Sequence, residues 1–218
     1  MNIFIKLVSG LEYGRNYMQQ DRCDNTYSND CWFAFKKGDE KAFATIHDLY
    51  FHALYQYALR MLQDPDLAYD AIQELFLKLW MKRDTLPQVQ FVRAYLLRCL
   101  RMAILNKLRS LKLYELKIAA QYHTPDIEFS PEEIRIKKES ASFNALQLTH
   151  LINNLPARQK EIIYLRFYEG LPYKEISSIL GINYQSLVNI INRIMSRFKE
   201  KLKNHPEFLW IIWLLLSC

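Results

Sequence analysis

Wound as a helix at about 100° per residue, the stretch NYQSLVNIINRIMSRFK places Gln185, Asn189, Asn192 and Arg193 on one side. Carboxamides can pair with the donor and acceptor that adenine shows in the major groove, and a guanidinium can pair with guanine. Tyr184, Ser186 and Arg197 belong to the same candidate reading surface. The surface is polar but almost uncharged, since no Lys or Arg precedes Arg193 in this helix. Attraction for phosphate must then come from around it: Arg158, Lys160, Arg166, Lys174, Arg197, Lys199, Lys201 and Lys203.

A second segment, FVRAYLLRCLRMAILNKLR, interleaves Arg93, Arg98, Arg101, Lys107 and Arg109 with Phe91 and Tyr95. On a helical wheel Arg98, Arg101 and Arg109 fall within an arc of about 80°. Basic groups beside aromatics suit phosphate contact with base stacking, the needs of single-strand binding. A helix laced with solvated arginines has the same pattern. In a third segment, LAYDAIQELFLKLW, Asp70, Gln73, Glu74 and Lys78 point outward from an apolar stripe. Either a solvated face or a docking surface for another protein reads this way.

No residues converge on catalysis. His47 and His52 lie five apart and share no helical face well. There is no glycine-rich phosphate loop and no nucleophile elbow. Cys23, Cys31, Cys99 and Cys218 form no C-x-x-C pair, and no His stands at zinc-finger spacing from them. We expect no enzyme activity, catalytic residue, metal, cofactor or small-molecule substrate, and a reducing cytoplasm as the location. The short, broken apolar run at the N-terminus does not read as a signal peptide.

The elements that must position these residues are helical. The 218 residues are 50% apolar, with only 5 Gly. That composition supports buried cores and favours helix over sheet. The formal charge of +6 is unevenly spread: +3 over residues 30–110, −1 over 111–145 and +5 over 146–205. Two basic blocks with an acidic stretch between them suit a two-point contact with a polyanion.

Phe43, Ile46, Leu49, Tyr50, Leu54, Tyr57, Ala58 and Met61 recur at three and four residues, predicting a long helix. Asp64-Pro65-Asp66 breaks it and offers a cap for the next. That helix has Ile72, Leu75, Phe76, Leu79 and Trp80 on one face. A loop around Pro87 leads to a third helix from Phe91 to about Arg109. Prolines and mixed charge mark residues 111–145 as a linker.

Leu148, Leu151, Ile152 and Leu155 start a second group of helices. It ends in a helix-turn-helix with Gly181 at the corner and Asn183 as the cap of the last helix. The expected architecture is all-α, with two helical domains on a flexible linker. The boundaries are an N-terminal extension 1–29, a domain 30–110, the linker 111–145, a domain 146–205 and an apolar tail 206–218. The tail LWIIWLLLSC is too short to span a membrane, which takes about 20 apolar residues.

The segments AYDAIQELFLKLW and LPARQKEIIYLRFYEGLPYKEISSILGI resemble signatures of the bacterial RNA polymerase sigma factors of the sigma-70 family. The likeness is to the small extracytoplasmic-function branch and covers about residues 35–110 and 146–203. It implies a transcription initiation factor that binds core RNA polymerase and promoter DNA. Factors of this branch are commonly held inactive by a membrane-bound anti-sigma protein.

By the same resemblance, Asp70, Gln73, Glu74 and Phe76 match the polymerase clamp-binding helix. The loop from Thr85 to Phe91 and the helix from Tyr95 to Arg109 match the part that captures flipped bases of the minus-ten element. The last helix reads the minus-thirty-five element, and the linker follows the RNA exit path. The chain departs from the family pattern at Met102, where Asn is usual, and at Asn106, where Asp is usual. Val188 and Ile190 stand where basic residues are frequent. The rival readings are a helix-turn-helix regulator that acts without polymerase and a degenerate, sigma-like interaction module.

Overall fold

The structure is a computed structural model that describes residues 27–115, 127–129, 146 and 148–201. Every described element is helical, and the helices form two groups. The first group holds α1 (27–36), α2 (Glu40–Leu62), α3 (Pro65–Met81) and α4 (Val92–Glu115). The second holds α5 (148–153), α6 (Ala157–Ile163), a π-helical turn Tyr164–Tyr168, α7 (Tyr173–Leu180) and α8 (Tyr184–Lys201).

Side-chain caps set the helix starts. Asp39 Oδ1 accepts from the backbone N–H groups of Lys41 and Ala42 at 2.8 and 3.1 Å, opening α2. Asp64 Oδ1 does the same for Asp66 and Leu67 at 2.9 and 3.0 Å, with Pro65 at the first helical position. Between α2 and α3, Gln63 takes the left-handed conformation (φ 53°), so the chain reverses in two residues. The Gln63 N–H closes the turn on Leu59 O at 2.7 Å.

The stripes read from periodicity are the core of the first group. Ile46, Leu54, Tyr57, Ala58 and Met61 from α2 and Ile72, Leu75, Phe76 and Leu79 from α3 are buried. Leu49, expected among them, is 44% exposed. The first helix starts earlier than the sequence pattern implied. Residues 27–29 are already helical, and α1 buries Trp32 and Phe35, with Trp32 Nε1 donating to Pro87 O at 3.1 Å. Residues 1–26, most of the linker and the tail lie outside the described residues. Of the linker, 127–129 are described: Ile127 and Phe129 are buried. Asn153 grips the Phe129 backbone from both sides, with its Oδ1 3.0 Å from the N–H and its Nδ2 2.9 Å from the carbonyl.

The two groups touch. α4 packs on α7, and polar side chains of α2 and α4 reach the α6 segment. None of the described helices is long and apolar enough to cross a membrane.

Candidate functional site

The helix-turn-helix forms as its sequence requires. Gly181 is left-handed (φ 64°) and Asn183 Oδ1 accepts from the Gln185 N–H at 2.8 Å. Leu187, Ile191, Ile194, Met195 and Phe198 are buried, which fixes the rotation of α8. That rotation exposes Tyr184, Gln185, Ser186, Asn189, Asn192, Arg193 and Arg197 together. Gln185 Nε2 donates to Asn189 Oδ1 at 3.2 Å, so the two amides already hold each other in line. Val188 and Ile190 are half-buried and flank this face.

The surrounding bases divide. Arg158, Lys174, Arg197, Lys199 and Lys201 are exposed. Lys160 is 3% exposed and therefore does not serve the phosphate attraction expected of it. Its position on α6 faces the core that Ile162 and Ile163 fill. Arg166 is turned onto the Tyr173 ring, 4.9 Å from its centre, and its Nη1 donates to Leu171 O at 3.1 Å.

On α3, Asp70, Gln73 and Glu74 are exposed on one side. Lys78 Nζ lies 2.6 Å from Glu74 Oε1, one turn on, and this hydrogen bond holds the Glu74 carboxyl below its ordinary pKa. Phe76 does not join that face. It is 4% exposed, on the far side of the helix, with its ring 5.9 Å from Phe43 and 4.7 Å from His47.

The basic residues of α4 part into two sets. Arg98 and Arg109 are exposed and Lys107 is half-buried; Arg109 Nη1 donates to Asn106 Oδ1 at 3.1 Å. Arg93 and Arg101 instead cross to the second group. Arg101 meets Glu161 with two bonds, Nε to Oε1 at 2.7 Å and Nη2 to Oε2 at 3.2 Å. Arg93 pairs with the Glu169 carboxylate and donates to the Glu169 carbonyl at 3.1 Å. All four side chains are at most 13% exposed. A tyrosine hydroxyl completes each carboxylate: Tyr57 on Glu161 and Tyr164 on Glu169, both at 2.6 Å.

Burial raises the pKa of Tyr57 and Tyr164 well above the ordinary value, and the adjacent carboxylates add to the rise. Burial disfavours the Arg101 charge, yet the bonds and charge of Glu161 outweigh it and raise that pKa too. Beside this contact Arg60 lies among aromatic rings, 5.0 Å from Tyr164, 5.5 Å from Tyr168 and 5.9 Å from Phe129. Its Nη1 donates to Glu128 O at 3.1 Å.

The sequence pattern marks Tyr57 only as a core position of α2 and gives Glu161, Glu169 and Tyr164 no role. Two glutamates among the apolar residues of EIIYLRFYE were the available signal, because a carboxylate at a buried helical position needs a partner. The π turn was not readable. It inserts an i+5 bond, Glu169 N to Tyr164 O at 3.1 Å, at the point where Glu169 turns toward Arg93. Among the described residues, no group of three or more His, Cys, Asp or Glu could hold a metal ion.

The described residues thus form two groups of helices, one ending in a helix-turn-helix with an exposed amide face, the other presenting Asp70, Gln73 and Glu74 on α3. The family model for sigma-70 region 2 matches residues 47–113, and that for sigma-70 region 4 matches residues 145–197. The chain belongs to the sigma-70 family of RNA polymerase sigma factors, in the extracytoplasmic-function branch.

Among its relatives is the extracytoplasmic-function (ECF) RNA polymerase sigma factor SigW of Bacillus subtilis, 26% identical over 78% of this chain and 93% of SigW. RNA polymerase sigma factor SigZ of the same organism is 26% identical over 72% of this chain and 84% of SigZ. In fold the chain resembles the sigma factor RpoE of Bartonella quintana, solved with the anti-sigma factor NepR. That likeness has a TM-score of 0.55 at 22% identity, over 75% of this chain and 98% of that one. CnrH, solved with the cytosolic domain of CnrY, gives 0.54 at 16% identity, over 82% and 98%.

Proposed function

We infer that this chain is a sigma factor that binds core RNA polymerase and directs promoter-specific initiation of transcription. The observation that carries this is the pair of sigma-70 regions in order on one chain, the second ending in a helix-turn-helix whose amide face is open to solvent. On this reading residues 30–110 form the domain that binds polymerase and the minus-ten element, and residues 146–205 the domain that reads the minus-thirty-five element. Asp70, Gln73 and Glu74 meet the polymerase, and Phe76 supports their helix from behind. Arg98, Lys107 and Arg109 serve the minus-ten strand, whereas Arg93 and Arg101 are engaged by Glu169 and Glu161 in this arrangement. Tyr184, Gln185, Ser186, Asn189, Asn192, Arg193 and Arg197 serve the minus-thirty-five duplex. RpoE and CnrH are each seen with another protein, in the first case an anti-sigma factor, and an anti-sigma partner is proposed here by that analogy.

Run-off transcription with purified core polymerase and genomic promoter fragments tests the reading. A discrete product that requires this protein is expected. Duplex binding of the same strength with or without polymerase, and no product from any fragment, would assign the chain to the helix-turn-helix regulators instead.

A further inference from the structure

We propose that α1 carries a further nucleic-acid subsite: the Phe33 ring, with Lys37 beside it, stacks one unpaired base of the opened promoter strand next to the loop from Thr85 to Phe91. The proposal rests on reading that loop as the part that takes unpaired bases. The helix α1 lies ahead of residues 47–113, which the sigma-70 region 2 model matches, so that match gives it no role.

Three contacts lay the loop along α1 in antiparallel order. Asn29 Nδ2 donates to Gln90 O at 3.3 Å, and Trp32 Nε1 donates to Pro87 O at 3.1 Å. At the far end Gly38 lies against Arg83, whose Nε is 3.8 Å from the place of a β-carbon there. Phe33 stands one turn beyond Asn29 on the same helical face, between the contacts to Gln90 and Arg83. Its neighbours Trp32 and Phe35 are buried, whereas Phe33 is 51% exposed.

A single exposed ring is ordinary on a protein surface. This one is held in place, because Lys37 Nζ lies 4.0 Å from its centre. The ammonium sits on one face, so a planar ligand must use the other. Arg83 lies over the Trp80 ring in the same way, 4.8 Å from its centre. Both cations rest on neutral rings, which leaves their charge to attract phosphate. A ring with a cation beside it meets the needs of a single strand: the base stacks and the adjoining phosphate meets the charge. Bases in a duplex are already stacked and paired, so only an opened strand fits. Stacking uses the π face that every base has, so this subsite should be indifferent to base identity.

The test uses the full-length protein with labelled oligo(dT) and oligo(dC), each of about 15 nucleotides. In fluorescence anisotropy Phe33→Ala should weaken binding about tenfold, by the same factor on both strands. Phe33→Trp should retain the parent affinity, because it keeps a stacking surface. Lys37→Gln should lower the slope of log affinity against log salt by about 0.7, the share of one phosphate on a single strand. A mixed-sequence duplex should bind the parent and Phe33→Ala alike. If circular dichroism shows that Phe33→Ala loses helix, Phe33→Leu takes its place, since it keeps the apolar bulk without the ring face.

Unchanged affinity without the ring overturns the subsite, as does a loss confined to one strand or shared by the duplex. So does a parent protein with no measurable affinity for either strand. Co-purification with core polymerase is followed on the same variants. Loss of polymerase on removing the ring would assign Phe33 to a protein contact and overturn the subsite too. Run-off transcription by the parent decides the sigma-factor reading separately, so the subsite can fail while that reading stands.

Discussion

Gln185 and Asn189 sit one turn apart, joined at 3.2 Å, on a helix with no cation before Arg193. Free amides on an exposed helix sample several rotamers, and fixing them costs entropy when a base is bound. Here each amide restrains the other before DNA arrives. An amide pair suits adenine, so the minus-thirty-five element should contain adenine opposite these residues. Replacing either with Ala should lower holoenzyme affinity for the adenine-bearing duplex by about 1–3 kcal/mol. The loss should vanish on a duplex with guanine at that position. Competition binding against a randomised element measures it, and an undiminished adenine preference in both variants would remove the assignment. Glu74 marks the same scale on the other domain. Its pKa is lowered by the Lys78 hydrogen bond, so the pair favours the folded state at neutral pH and is lost as pH falls through that lowered value. Being exposed, it affects the local surface far more than global stability.

At the scale of the element, α3 has two distinct faces, with Asp70, Gln73 and Glu74 exposed on the one proposed to meet polymerase and Phe76 buried on the other. Asp70→Ala with Glu74→Ala should leave the melting temperature within a few degrees, because both side chains are exposed. It should still weaken co-purification with core polymerase at least severalfold. Phe76→Ala should do the reverse, costing about 3–5 kcal/mol of stability through the cavity between Phe43 and His47. Any loss of polymerase binding there should track the fraction unfolded in a denaturant titration. The faces, the caps at Asp64 and Asn183 and the Gly181 corner were legible in the sequence, because each depends on residues within four positions of one another. Local spacing could not show that Leu49 is left exposed, that Lys160 is buried or that Phe76 turns away from Asp70. It could not show that Arg93 and Arg101 spend their charge on Glu169 and Glu161 either. Their partners lie 76 and 60 residues away, and the π turn that aims Glu169 has no compositional mark.

For the whole molecule, the contact between the domains is polar at its centre, and that fixes how it should respond to pH. The neutral hydroxyls of Tyr57 and Tyr164 each donate to a buried carboxylate, and ionising either would set two negative charges 2.6 Å apart. Both tyrosines are raised well above their ordinary value, first by burial and then by Glu161 and Glu169. For a group with its pKa raised in the folded state, the stabilisation is full below the unfolded value, about 10. It is lost as pH climbs through the raised value. The contact should therefore be insensitive to pH from neutrality to about 9 and should open above about 10. Tyrosinate absorbance should rise first for the exposed rings. Its last portion should coincide with the increase in radius of gyration. In Tyr57→Phe/Tyr164→Phe the carboxylates keep their arginines but lose one hydrogen bond each, about 1 kcal/mol apiece. That variant should be looser at neutral pH, and its expansion should no longer follow the final tyrosinate signal. Expansion of the parent and the double Phe variant at the same alkaline pH, with the same amplitude, would show that the tyrosines do not govern the joint between the domains.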